Sequence, residues 1–183
     1  MNLVPKYVFF TKGVGSDKKE LQSFESALLD AGISQLNIVQ VSSIFPPNCK
    51  EISREEGLKM LKPGQITFVV LARHCSYERN RLISASIGVA KPKDENHYGF
   101  LSEHHSFGQD ERTAGNFAED LAASMLASTL GIDFDIDADY DEKRAIFHMS
   151  DKIVETKSTT STCIVENDGI FTTVLAAAVF ILE

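Results

Sequence analysis

Two adjacent hydroxyls, Ser42 and Ser43, close the apolar run Asn37-Ile38-Val39-Gln40-Val41 and precede Ile44-Phe45-Pro46-Pro47. The β-branched run reads as a strand. Proline has no N–H and restricts the residue before it, so pairing must stop near Phe45. The serines are then held at a rigid strand end where the backbone turns. That geometry brings a serine Oγ within reach of the carbonyl carbon of the preceding peptide. On spacing alone a hydrogen-bonded strand terminus is the simpler reading, since serine is a common turn residue. Glu103 ends the apolar stretch Tyr98-Gly99-Phe100-Leu101-Ser102. Partial burial there would raise its pKa and keep it protonated, suited to donating a proton; a solvated carboxylate is the alternative. Asn37 lies amid Leu36, Ile38 and Val39, so its amide either serves a sheet edge or faces a cavity.

The elements that must position these groups can be read along the chain. Tyr7-Val8-Phe9-Phe10 is a first strand, stopped by Lys12-Gly13-Val14-Gly15. Asp17 and Glu20 have capping-box spacing, followed by Leu21, Phe24, Leu28 and Ala31 at helical intervals, with Gly32 placed to end the helix in the left-handed conformation. A strand over 37–44 carries the serine pair. Ser53 and Glu56 cap a short helix to Met60-Leu61, broken by Pro63-Gly64. Segments 65–71, 82–90 and 98–103 read as strands, with polar connections over 73–80 and 91–97. A long helix spans 110–130, its buried stripe being Ala114, Phe117, Ala118, Leu121 and Met125, with Gly131 after the last turn. Segments 152–165 and 170–182 form a final hairpin across Asn167-Asp168-Gly169. Helix and strand alternate only at the front, so the expected class is α+β, layered, in a single domain over 1–183.

Composition narrows the function. A chain of 183 residues with 43% hydrophobic content suits one globular domain. A net charge of −8 argues against nucleic-acid and anionic-membrane partners and is compatible with a cationic substrate. Cys49, Cys75 and Cys163 are odd in number and lack metal-ligand spacing, which fits reduced thiols in a cytoplasmic protein. The longest apolar run, 174–182, is about half a membrane span. The N-terminal residues show no signal peptide.

The helix Phe24-Glu25-Ser26-Ala27-Leu28-Leu29-Asp30-Ala31-Gly32-Ile33, the core Val41-Ser42-Ser43-Ile44-Phe45-Pro46-Pro47, the segment Ala85-Ser86-Ile87-Gly88-Val89-Ala90 and the strand Tyr98-Gly99-Phe100-Leu101-Ser102-Glu103-His104 together resemble the pyruvoyl-dependent arginine decarboxylases. The resemblance runs from about Val8 to the C-terminal hairpin and implies an αββα sandwich. It also implies self-cleavage between Ser42 and Ser43 into a β chain 1–42 and an α chain 43–183, with the pyruvoyl cofactor made from Ser43. In that chemistry Ser43 Oγ attacks the Ser42 carbonyl, the amide becomes an ester, and elimination then leaves dehydroalanine, which hydrolyses to pyruvoyl. The implied reaction converts L-arginine to agmatine and CO2 through a Schiff base. Glu103 falls on the family's catalytic glutamate and Asn37 on a functional asparagine beside the pyruvoyl group and substrate. Glu25 falls where better-known archaeal members carry an aspartate that contacts substrate. A carboxylate at either length pairs with a guanidinium; the extra methylene affects pocket depth or substrate choice. A homotrimer, or a hexamer of paired trimers, with sites between neighbouring subunits, is implied as well. Polyamine synthesis and acid resistance both suit such an enzyme. Two alternatives stand beside this reading: the same chemistry on another amino acid, or an unprocessed, non-catalytic oligomeric binding protein of the same fold.

Three further patterns fail. Gly13-Val14-Gly15 lacks the third glycine of a dinucleotide loop, where Lys18 stands. The alternating aspartates 133–141 place Ala138 and Arg144 where a calcium loop needs glycine and glutamate. His104 and His105 are adjacent on a strand and point to opposite faces, which makes them poor co-ligands, so no metal site is expected.

Overall fold

A computed structural model describes residues 3–132 and 153–182. In chain order the elements are β1 (Tyr7–Asp17), α1 (Glu20–Asp30), β2 (Asn37–Gln40), β3 (Ile44–Phe45), β4 (Lys50–Glu51), α2 (Arg54–Met60), β5 (Ile66–Ser76), β6 (Leu82–Pro92), β7 (Gly99–Phe107), α3 (Glu111–Leu130), β8 (Ile153–Ile164) and β9 (Phe171–Ile181). They build an α+β protein with a five-stranded sheet, ordered β2-β5-β9-β1-β4, and a four-stranded sheet, ordered β3-β7-β6-β8. Side chains alternate across each strand, so each sheet contributes one face to a shared apolar layer: Val70, Val174, Ala176 and Phe180 from one, Ile83, Ile87, Val89 and Leu101 from the other. The opposite face of the five-stranded sheet, with Phe9, Leu71 and Leu175, buries Ala27, Leu28 and Ala31 of α1.

β1 does not stop at its glycines but runs through them to Asp17. A Cβ at Gly13 would lie 2.1 Å from the Ala27 carbonyl oxygen, and one at Gly15 2.3 Å from the Ala27 nitrogen. The glycines are there because α1 lies directly on the strand. The predicted capping box at Asp17 and Glu20 is absent. Lys19 is the N-cap and makes no side-chain bond, the Asp17 carboxylate accepts from its N–H at 3.1 Å, and Glu20 is drawn instead to Arg73 at 2.9 Å. The buried face of α1 is also shifted: Ser23, Ala27 and Leu28 are buried and Leu21 is 76% exposed. Phe24 is partly buried beneath the Arg73 guanidinium. The box at Ser53 and Glu56 does form, with reciprocal bonds of 3.0 and 3.2 Å. Gly32 and Gly131 follow their helices at φ 80° and 64°, the left-handed ends the sequence predicts.

Two strands outrun their predicted ends, because β5 continues to Ser76 and β7 to Phe107. The predicted C-terminal hairpin is not one. β8 pairs with β6 in the four-stranded sheet, and β9 lies between β5 and β1 in the other. The turn around Gly169 (φ 72°) therefore crosses between sheets. Eight consecutive apolar residues of β9, Val174 to Ile181, are buried on both faces, a demand only a central strand meets. The buried face of α3 consists of Ala114, Gly115, Ala118, Ala122, Ala123, Leu126 and Ala127, while Phe117 is 43% exposed. Small residues prevail because the helix backbone approaches β6 closely at Gly88. The aspartates 133–141 lie outside the described residues.

Candidate active site

The predicted strand over 37–44 is broken in two, and the break is the serine pair. β2 runs parallel along the edge of β5 until the Val41 N–H donates to the Val69 carbonyl at 2.9 Å. The chain then leaves that sheet, and Ile44 and Phe45 join the other sheet opposite Phe100 and Gly99 of β7. Ser42 and Ser43 are the crossover. Two backbone bonds hold them: Leu101 N–H donates to the Ser43 carbonyl at 2.8 Å, and Ile44 N–H donates to the Ser42 carbonyl at 3.0 Å. The second bond closes a three-residue γ-turn on Ser43. Among the described residues the non-glycines with positive φ are Asn48 and Asn80, so the turn at Ser43 is the relaxed inverse form. Ser42 is exposed and Ser43 half-buried.

Continuing the β3–β7 register by one residue sets Ser43 opposite Leu101, whose side chain is fully buried between the sheets. Glu103, two residues further along β7, shares that face and is the diagonal cross-strand neighbour of Ser43. Diagonal neighbours lie about 7–8 Å apart, within reach of long side chains. The register thus sets Ser43 and Glu103 diagonally across the strand pair, with Ser42 beside Ser43 at the crossover. Glu103 is exposed in the single chain, yet loss of surrounding water lifts its pKa above the ordinary carboxylate value; the Leu71 backbone amide and His105 oppose that rise.

Beyond Glu103 on the same face, His105 meets His74 of β5 with ring centroids 5.2 Å apart, and His74 packs on Phe107 at 4.3 Å. Burial lowers the His74 pKa, with the Ser106 carbonyl bound to Nδ1 at 3.1 Å acting against it. His104 points the other way, to Gln109 at 2.8 Å and to Phe117 of α3. The two adjacent histidines do face opposite sides. Among the described residues no group of three or more His, Cys, Asp or Glu side chains could hold a metal ion. His74 lies past the end the sequence predicts for β5, in the polar connection expected over 73–80, so residue type alone does not mark it; its alternation with Val70 and Ala72 is the available signal.

Asn37 is not beside the serine pair within the chain. It opens β2, where its Nδ2 donates to the Gly64 carbonyl at 2.7 Å. Ser43 is six positions further along the chain, beyond the end of β2, at up to roughly 3.3 Å per residue. Glu25 is exposed on α1 and has no ion-pair partner among the described residues. A cavity of about 400 Å³ opens beside Ser42, walled by Val41, Ile44, Phe68, Phe180 and the N-terminal Val4 and Pro5, a volume suited to a small molecule. On the other side of Pro46, a second cavity of about 500 Å³ holds Glu51, Lys91 and Glu155. Lys91 there binds Glu51 at 3.0 Å and Glu155 at 2.9 Å, and Lys157 also binds Glu51, so these charges largely neutralise one another.

The family model for pyruvoyl-dependent arginine decarboxylase (PvlArgDC) matches residues 7–183. The chain belongs to that family. Among curated relatives, a protein named probable pyruvoyl-dependent arginine decarboxylase from Chlorobium phaeovibrioides is 57% identical over 181 residues, covering 99% of both chains. One of the same name from Chlorobaculum tepidum is 58% identical with the same coverage. The pyruvoyl-dependent arginine decarboxylase of Thermoplasma volcanium is 53% identical over 180 residues, covering 98% of both chains. Members of a pyruvoyl-dependent family need a pyruvoyl group, and this chain's residues fit its making: a serine with its hydroxyl, preceded by a carbonyl already accepting a hydrogen bond. No helix among the described residues is long and apolar enough to cross a membrane.

Proposed function

We infer that this protein is a self-processing arginine decarboxylase, converting L-arginine to agmatine and CO2. The observation that supports it best is the inverse γ-turn on Ser43 with Glu103 diagonally across the strand pair. Ser43 is the source of the pyruvoyl group and Ser42 supplies the carbonyl that is cleaved, giving chains of 42 and 141 residues (183 − 42). The pyruvoyl carbonyl supplies an electron sink for the pair released as CO2 departs. Glu103, whose raised pKa keeps it protonated further up the pH scale, delivers one proton to the substrate carbon that lost CO2. The layers form an αββα sandwich, with α1 and α2 outside one sheet and α3 outside the other.

Asn37 and Glu25 act on substrate or processing from a neighbouring subunit of a symmetric trimer, which reconciles their distance from Ser43 within one chain. Three trimer sites, or six in a hexamer, would each combine two subunits. The Glu25 carboxylate pairs with the substrate guanidinium. Location in the cytoplasm agrees with three free thiols.

The test is the denatured mass of the purified protein beside a Ser43→Ala variant, followed by turnover on a panel of amino acids. Two chains split after Ser42 in the wild type, an intact variant and CO2 release from arginine are the expected results. An intact wild-type chain, stable on long incubation, overturns the reading and returns the protein to a binding role.

A further inference from the structure

We propose that the backbone N–H of Ile44 is the oxyanion donor for self-cleavage, stabilising the charge that develops on the Ser42 carbonyl oxygen when Ser43 attacks. This rests on the reading of Ser43 as the processing residue and adds to it the group that activates the electrophile. In the step concerned, the Ser43 Oγ bonds to the Ser42 carbonyl carbon and the C–N bond breaks. The hydroxyl proton ends on the freed nitrogen, so the amide becomes an ester with an amine on residue 43 and no atom is lost. Between the two events the carbonyl oxygen carries a negative charge. Ile44 N–H is already bonded to that oxygen before attack, at 3.0 Å, so the donor is in place when the charge develops.

The position of Ile44 in the sheet reserves its N–H for this use. β3 is an edge strand, and Ile44 faces Phe100 in a pair whose ladder bonds lie to either side, one of them Leu101 N–H to Ser43 carbonyl. In such a non-hydrogen-bonded pair the residue's own N–H points away from the partner strand. The Ile44 N–H therefore gives nothing to β7 and closes the γ-turn instead. Leu101 meanwhile fixes the far side of Ser43 at 2.8 Å, so both carbonyls flanking the attacking residue are anchored. The donor is preorganised by sheet register, not by a side chain.

The geometry also supplies a probe. Proline is tolerated on an edge strand where the N–H faces outward, and it keeps the preceding residue out of the helical region. Ile44→Pro removes the proposed donor but also draws Ser43 from the γ-turn towards a more extended conformation, so it is read beside a variant without a ring. Ile44→Val keeps the N–H and the branched side chain. Newly synthesised chains from cell-free translation are followed by denaturing mass spectrometry, with and without hydroxylamine, which cleaves the ester but not the amide. Expected results are wild-type cleavage rates for Ile44→Val and a fall of roughly 100-fold or more for Ile44→Pro. The uncleaved Ile44→Pro chain should resist hydroxylamine, because the block precedes the ester. Replacing Ile44 by its α-hydroxy acid, which exchanges N–H for oxygen without a ring, must slow cleavage likewise and guards against misfolding by proline. Cleavage of the α-hydroxy-acid variant or of Ile44→Pro at the wild-type rate, or accumulation of an ester cut by hydroxylamine after Ser42 in Ile44→Pro, overturns the assignment alone. A wild-type chain that never cleaves overturns the processing reading and this assignment together.

Discussion

Gly88→Ala is the substitution for which the structure makes the sharpest demand. Gly88 lies on β6 directly under α3, and a Cβ there would stand 2.0 Å from the Ala118 carbonyl oxygen and 2.6 Å from Ser102 Oγ. Restoring an ordinary 3.4 Å contact from 2.0 Å requires the helix to retreat by about 1.4 Å. Gaps of that size forfeit a quarter to a half or more of each contact's dispersion energy, and here they run along the alanine face of α3. Overpacking of this kind costs about 3 kcal/mol at the upper end of its usual range. The buried hydrogen bond from Ser102 Oγ to the Ala118 carbonyl would be lost too, at about 1 kcal/mol. The expected destabilisation is thus about 4 kcal/mol, a large share of a domain's total of roughly 5–15 kcal/mol. Urea unfolding followed by circular dichroism, at matched protein concentration to hold any subunit association constant, measures it. The decisive clash is with backbone, so adding Ser102→Ala must not rescue the variant. A loss below about 1 kcal/mol, or rescue by Ser102→Ala, would refute the reasoning.

Glu103→Gln should leave the chain able to cleave but lower decarboxylation by about 10²–10⁴-fold, the usual worth of a positioned general acid. The wild-type rate should fall as pH rises through the raised Glu103 pKa, and that alkaline limb should vanish in the variant. The same shift fixes a stability sign. A carboxyl whose folded pKa is raised contributes stability that is complete below its unfolded pKa and is lost as pH rises through the folded one. Glu103→Gln should therefore be the more stable protein at neutral pH, with the advantage fading on acidification; equal pH profiles by thermal unfolding would contradict this. Burial pushes the Cys49 thiol up to about 12, with Lys91 acting against the shift. Iodoacetamide at pH 8 should then spare Cys49 in the folded protein and modify it after unfolding, read by peptide mass mapping.

What could be read from the residues depended on the range of the interaction involved. The Ser53 and Glu56 capping box and the left-handed glycines at 32 and 131 involve neighbours a few residues apart, and local chemistry settles them. The predicted box at Asp17 and Glu20 failed because Arg73, 53 residues away, took the glutamate. Gly13 and Gly15 read as a strand break because nothing local distinguishes a turn glycine from one cleared for a helix lying overhead. The final hairpin was misread for a related reason: a tight turn specifies that two strands reverse, not that they share a sheet.

By itself the sequence determined the chemistry open to this protein: a serine pair at a strand end, a carboxylate closing another apolar strand, and family membership through residues such as Val41-Ser42-Ser43-Ile44-Phe45-Pro46-Pro47. Only the tertiary structure decided that the serine pair is a crossover between two sheets, that Leu101 and Ile44 amides grip its carbonyls, and that Glu103 stands diagonally opposite while Asn37 lies at the far end of β2. The physical reason is that residue type sets which bonds a group is able to make. Which bonds it does make is set by strand register, and register is chosen by burying β9 and β6 against each other across the whole chain.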